Sequence, residues 1–334
     1  MSALLTLARQ ALGQVCASLV AGLALGAVAA SAAQAQSSTV RIGHFPNITH
    51  VQALVAHHLS RLGKGWFEQR LGPGVKIEWF VYNAGPSAME AIFANSIDLT
   101  YVGPNPAINA YAKSRAEEIR IVAGAANGGA ALVVQTDSPI KVASDFRGKR
   151  IATPQFGNTQ DIAARAWLAA GGLRITQTGG DAHVLPTANP DQIVLFKQKQ
   201  LDAVWTVEPW VSRLEMEAQA KVLLEEPDAV TTVLATGVKF LNTNREQLRT
   251  LVAAHAELTE WIKANPEDAQ RMVREELAAE TRAAIPADLV QRAWKRIVVT
   301  STVSREALDK FMANAQAVGF LRGAPDLSRL VEKP

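Results

Sequence analysis

Polar residues set between glycines and prolines recur at four places in this 334-residue chain. They are His44-Phe45-Pro46-Asn47-Ile48-Thr49-His50, Asn83-Ala84-Gly85-Pro86-Ser87, Gly103-Pro104-Asn105-Pro106 and Pro154-Gln155-Phe156-Gly157-Asn158-Thr159. Each precedes a stretch of helical periodicity, so each marks a helix start. Asn47 or Thr49, Asn105, and Asn158 or Thr159 are residue types that cap helices. Ser87 and Glu90 have the spacing of a capping box, and Pro106 suits a first helical position. A helix start leaves backbone N–H groups unpaired at the positive end of the peptide dipoles. Several such ends converging on one point bind an anion without any arginine. One turn of this kind is an ordinary helix start; four, each with a Gly or Pro that lets backbone approach closely, argue for a ligand cleft.

A fifth turn, Thr206-Val207-Glu208-Pro209-Trp210, carries a carboxylate. Either Glu208 and Trp210 face the cleft, as hydrogen-bond acceptor and apolar wall, or they serve the helix dipole and the core. Asn127-Gly128-Gly129 falls where the first half of the chain ends and offers a hinge, or a backbone contact to ligand at Gly129. Catalytic signatures are missing: there is no Gly-x-Ser-x-Gly, no Gly-Lys-Ser/Thr phosphate loop, no Gly-x-Gly-x-x-Gly and no His-Glu-x-x-His. His44, His50, His57 and His58 lie close together in the chain. His57 and His58 are adjacent on a helix and cannot share a face, and no Asp, Glu or Cys stands near them, so no metal centre is expected. His44 and His50 are better placed to hydrogen-bond a ligand. An exported hydrolase using either as general base would need a nucleophile that the sequence does not show.

The elements that must hold these turns are short β-rich runs alternating with amphipathic helices, the pattern of an α/β fold with mainly parallel sheets. Strands are expected over residues 39–43, 76–82, 99–102, 120–124, 130–136, 150–153, 183–186, 203–207, 221–224 and 231–239. Helices are expected over 51–61, 87–95, 106–114, 160–170, 192–199 and 209–218. Beyond Thr243 the periodicity is helical throughout, over 245–264, 266–279, 287–298 and 304–318, which predicts an all-helical tail. Residues 1–35 read as a signal peptide, with Arg9, an apolar core over 17–30 too short to span a bilayer, and Ala33-Gln34-Ala35 as cleavage triplet. Cleavage near Ala35 would remove the single cysteine, Cys16, and leave a periplasmic chain that needs no disulfides. With 48% apolar residues the chain is too hydrophobic for disorder, and 34 basic against 31 acidic residues form no stripe for nucleic acid.

Several segments together resemble, in order and spacing, the periplasmic substrate-binding proteins of ABC importers, in their nitrate/sulfonate/taurine branch. These are the turn from Gly43 to His50, Ala84-Gly85-Pro86-Ser87, Tyr101-Val102-Gly103-Pro104-Asn105-Pro106-Ala107, Asp145-Phe146-Arg147-Gly148-Lys149-Arg150-Ile151 and Val207-Glu208-Pro209-Trp210. The resemblance covers the chain from about Val40 to Arg213. It implies a two-lobed periplasmic-binding-protein fold of type II, each lobe a mainly parallel sheet flanked by helices. Lobe 1 would comprise residues 36–127 plus 232–334, and lobe 2 residues 128–231. It implies a monomeric, non-catalytic receptor without cofactor that clamps a small oxyanion such as an alkanesulfonate and delivers it to an inner-membrane permease. By position, the contacts would come from Asn47, Thr49, Pro86, Ser87, Asn105, Gly129, Asn158, Thr159, Glu208 and Trp210. The sulfonate branch commonly reads Gly-Asp-x-Pro-Pro where this chain has Gly103-Pro104-Asn105-Pro106, so a sulfate ester, nitrate or an aromatic carboxylate such as phthalate is also admissible. Enzymes of a related thiamin-pyrimidine branch use a Cys-rich motif that this chain lacks.

Overall fold

The computed structural model describes residues 38–334, so the expected signal peptide and its cleavage site lie outside the described residues. The strands in chain order are β1 (Ser38–His44), β2 (Val75–Val81), β3 (Leu99–Val102), β4 (Ile119–Gly128), β5 (Ala130–Val134), β6 (Arg150–Thr153), β7 (His183–Pro186), β8 (Ala203–Val207), β9 (Lys221–Glu225), β10 (Val230–Gly237) and β11 (Ile297–Val299). The helices are α1 (Val51–Arg61), α2 (Trp66–Leu71), α3 (Gly85–Phe93), α4 (Pro104–Lys113), α5 (Thr159–Ala170), α6 (Asn189–Lys197), α7 (Trp210–Ala218), α8 (Val238–Thr243), α9 (Arg245–Ala264), α10 (Pro266–Thr281), α11 (Ala287–Trp294) and α12 (Arg305–Ala317). The strands form two sheets, ordered β11-β4-β10-β3-β1-β2 and β7-β6-β8-β5-β9. Each sheet buries apolar side chains on both faces. On the first sheet, one face packs against α1, α2 and the long helices α9 and α10, and the other against α3, α4 and α12.

Parallel pairing joins β1 to β3 and β6 to both β7 and β8, as helical crossovers require. The expectation of mainly parallel sheets needs correcting at the strands that carry the chain between sheets. β10 runs antiparallel to β3 and β4, and β5 antiparallel to β8 and β9. No crossover helix lies between β4 and β5 or between β9 and β10, so nothing turns the chain round before it joins its new sheet. At the first crossing Gly128 and Gly129 have φ of 69° and 72°, a left-handed conformation that glycine adopts without a Cβ clash.

The tail contains the four helices α9 to α12 and two segments that pair with the first sheet. Ile297-Val298, expected to end the helix over 287–298, belong with Val299 to β11, which pairs antiparallel with β4, while Val331 bridges to Ile121. Its β-branched residues favour extended backbone once an open sheet edge is at hand. Strand β10 also ends before its expected limit, and α8 begins at Val238. Among the described residues no helix is long and apolar enough to cross a membrane.

Candidate functional site

Four helix starts meet between the two sheets. The 3-10 turn Ile48–His50 and the N-termini of α3, α4 and α5 surround a polar cavity of about 20 Å³, room for one or two water molecules. Asn47, Thr49, Asn158 and Thr159, four of the sequence-selected residues, line it, together with His50, Asn83, Gly103 and Gln160. Among the described lining residues there is no Arg, Lys, Asp or Glu. The cavity's polarity therefore comes from peptide dipoles and neutral side chains.

Each wall has a local cause. Asn158 is the N-cap of α5, its Oδ1 accepting from the Asp161 N–H at 2.8 Å. The Asp161 carboxylate in that first turn is paired with Arg165 at 3.1 Å, both buried, so α5 presents its dipole with no net charge. The buried Thr159 hydroxyl has no hydrogen-bond partner. It rests against Gly103, where a Cβ would overlap it. His50 accepts from the Phe45 N–H through Nδ1 at 3.3 Å, and burial, then nearby His44, holds its pKa well below the imidazole range. A neutral ring that accepts at Nδ1 carries its proton on Nε2, which makes His50 a donor.

The other sequence-selected residues sit beside the cavity with partners of their own. Helix α3 starts at Gly85 and not at Ser87, so the expected capping box is absent; Ser87 Oγ instead pairs with the Gln155 side chain at 2.9 Å. Pro86 faces a different groove with Phe93 and Phe156. Helix α4 starts at Pro104, with Gly103 as its N-cap, which turns Asn105 into the interior to donate to the Phe311 carbonyl at 3.0 Å. The Gly129 carbonyl accepts from the Glu208 N–H at 2.8 Å. Glu208 is fully buried and tied to Ser212 and Arg296; burial raises its pKa against the opposing pull of those donors. Trp210 donates from Nε1 to Asn47 Oδ1 at 2.8 Å, so it orients a cavity residue from behind.

These contacts hold the cleft closed. Besides the Trp210–Asn47 bond, Asn83 Nδ2 donates to the Pro154 carbonyl at 3.0 Å and the Ile48 N–H to the Glu208 carbonyl at 2.9 Å. Next to the polar cavity lies a larger one of about 610 Å³, walled by Pro46, Trp210, Met216, Ile285 and Leu289. Asn83 lines both. Asn83 stood within one of the selected turns, but nothing in its own spacing separated it from its neighbours. Thr231 and Gln160 carried no local signal at all.

His44 does not reach the cavity. Its Nε2 lies 3.0 Å from Glu280 Oε1 and 3.3 Å from His57 Nδ1, and His57 Nδ1 is 2.9 Å from Glu276 Oε1. Burial alone would raise the Glu280 pKa; the hydrogen bonds from His44 and His57 outweigh it and bring it to about 2. For His57 burial works against the charged form, and the two carboxylates overcome it and raise the pKa.

The family model described as the NMT1-like family matches residues 33–277. A protein from Escherichia coli (strain K12), named for binding aliphatic sulfonates, is 28% identical over 212 residues, 63% of this chain and 61% of that protein. The match therefore spans less than two thirds of that relative's length. Among solved structures, the alkanesulfonate-binding protein SsuA from Xanthomonas axonopodis pv. citri bound to MOPS superposes with a TM-score of 0.72 at 20% identity, over 89% of this chain and 98% of that one. The periplasmic nitrate-binding protein NrtA from Synechocystis PCC 6803 gives 0.71 at 15% identity, over 87% and 84%. Likeness at such low identity shows the fold, which is the two-lobed fold of periplasmic binding proteins. With well over half of its length matched by the family model, the chain belongs to the NMT1-like family.

Proposed function

We propose that this chain is the solute-binding component of an ABC import system, closing two lobes around a small organic oxyanion such as an alkanesulfonate. Residues 36–127 with 232–334 form one lobe and residues 128–231 the other. The observation that carries this reading is the convergence of four helix starts on a neutral cavity whose wall includes a buried hydroxyl without a partner, Thr159 Oγ1. Peptide N–H groups, Thr and Asn donors satisfy an anionic head group there without a formal countercharge. The adjoining apolar cavity, of a size usual for small-molecule sites, takes a carbon body and favours an organic anion over nitrate. The binding-protein name of the Escherichia coli relative supports binding over turnover. In this reading the protein is exported by its N-terminal segment, acts as a monomer and hands its ligand to an inner-membrane permease.

Isothermal titration with alkyl and aryl sulfonates, a sulfate ester, phthalate and nitrate tests the assignment. Affinity is expected to rise with the apolar area of the sulfonate, and nitrate to bind more weakly. Equal affinity for nitrate and organosulfonates would remove the apolar cavity from the site. Silence across the panel, with the protein folded, would end the oxyanion reading.

A further inference from the structure

A second polar cluster lies away from the cleft, where β1, α1 and α10 meet. His44 Nε2, His57 Nδ1 and Glu280 Oε1 form a triangle with edges of 3.0, 3.0 and 3.3 Å. Four donors arranged tetrahedrally at zinc–nitrogen and zinc–oxygen bond lengths stand about 3.3 Å from one another. The triangle thus has the dimensions of one face of such a shell. The side chains of His44 and Glu280 are 0% and 3% exposed, and that of His57 16%. A solvated surface cluster would be far more open.

Two further features favour an ion over a simple ion pair. Glu280 Oε2 is buried and has no hydrogen-bond partner, although its twin oxygen faces two imidazoles. His44 Nδ1 lies 3.3 Å from the Phe45 carbonyl, an acceptor placed to hold the ring proton on Nδ1 once a metal takes the place of the Nε2 proton that bonds Glu280. Glu276, held by Arg61 through Nη2–Oε1 at 2.6 Å and Nε–Oε2 at 3.1 Å, supplies a second carboxylate beside His57. We infer that His44, His57 and Glu280 form a binding site for a divalent transition metal of zinc type, with Glu280 Oε2 or a water as fourth donor. Two imidazoles and a carboxylate are a donor set that suits Zn²⁺. The ion ties the end of β1 to α1 and to α10, which approach one another only through the tertiary fold. His58 faces Glu275 instead, at 3.4 Å, and is not a ligand.

The site is tested on the untagged, chelator-stripped protein with zinc chloride, by competition against a chromophoric chelator and by thermal unfolding, with Co²⁺ as a visible-absorption probe. The expected result is one ion per chain, a raised unfolding temperature and Co²⁺ bands of a four-coordinate site. Affinity should drop at least about tenfold in His57→Ala and in Glu280→Gln, and stay unchanged in His58→Ala. His57 is only partly buried, so its variant remains informative if changes at His44 or Glu280 impair folding. Binding of equal strength in wild type, His57→Ala and Glu280→Gln, or no binding to folded wild type, overturns the inference.

Discussion

Thr159 and Asn158 are neighbours in the chain but contribute differently. Among the described residues Thr159 Oγ1 has no hydrogen-bond partner, so Thr159→Val removes a donor left free for a ligand. Ligand affinity is expected to fall by about 1–2 kcal/mol in calorimetry while the unfolding midpoint in urea holds or rises. Asn158 also caps α5, so Asn158→Ala should lower stability by about 1 kcal/mol as well as weaken binding. A third residue reports on pH. His255 is fully buried, donating from Nε2 to the Gly124 carbonyl at 2.8 Å and accepting from the Tyr101 hydroxyl at 3.0 Å. Burial, partly opposed by the Gly124 bond, lowers its pKa from 6.5 to about 4. Between those values the unfolded chain binds the proton and the native chain does not, so stability falls as pH drops from 6.5 to 4. The full window is worth about 3 kcal/mol, and urea titrations at both ends should show that part of the acid loss disappear in His255→Gln.

At the scale of elements, the tail decides more than its helical periodicity suggested. Directly before β11, Arg296 reaches Glu208, Glu215 and Glu225 at 3.0, 2.8 and 3.1 Å, joining the tail to the turn after β8, to α7 and to β9. Arg296→Met leaves Glu208 buried without its cation and should cost about 3 kcal/mol in equilibrium unfolding. Glu208→Gln in the same background is expected to restore part of that, because the neutral amide no longer needs a countercharge. A loss in Arg296→Met that Glu208→Gln does not reduce would assign the effect to packing alone. Most strands were legible element by element, since β3, β6, β7 and β8 begin and end where alternation and turn residues place them. Helices α3 and α4 start two residues before the expected positions, because proline at the first turn needs no side-chain cap and the polar residue that follows it lies inside the helix.

For the whole molecule the closed cleft rests on atoms that meet only when both sheets come together. Gly103 and Thr159 are such a pair. A methyl group at residue 103 would overlap the Thr159 hydroxyl, whereas the local backbone, with φ of −67°, accepts alanine without strain. Gly103→Ala should therefore leave stability nearly unchanged, weaken ligand binding and hold the lobes apart. Small-angle scattering with saturating ligand would then show a larger radius of gyration than wild type. Equal radii and equal affinity would mean that the closed contact at Gly103 is not part of ligand capture.

The alternation of apolar runs and capped turns, read residue by residue, was enough to establish an α/β chain, the first ten strands and the four turns that surround the cavity, though not α2, α8 or β11. Those features depend on neighbours within a few positions, and spacing reports them directly. Which turn residue faces the cavity depended on tertiary packing: Asn105 was drawn to Phe311 and Glu208 to Arg296, partners 206 and 88 positions away. The same holds for His57, isolated from any acid in the sequence until α10 brings Glu276 and Glu280 against it. Burial makes these distant pairings compulsory, because a polar group removed from water must find a partner wherever the fold supplies one, and a linear pattern holds no record of that meeting.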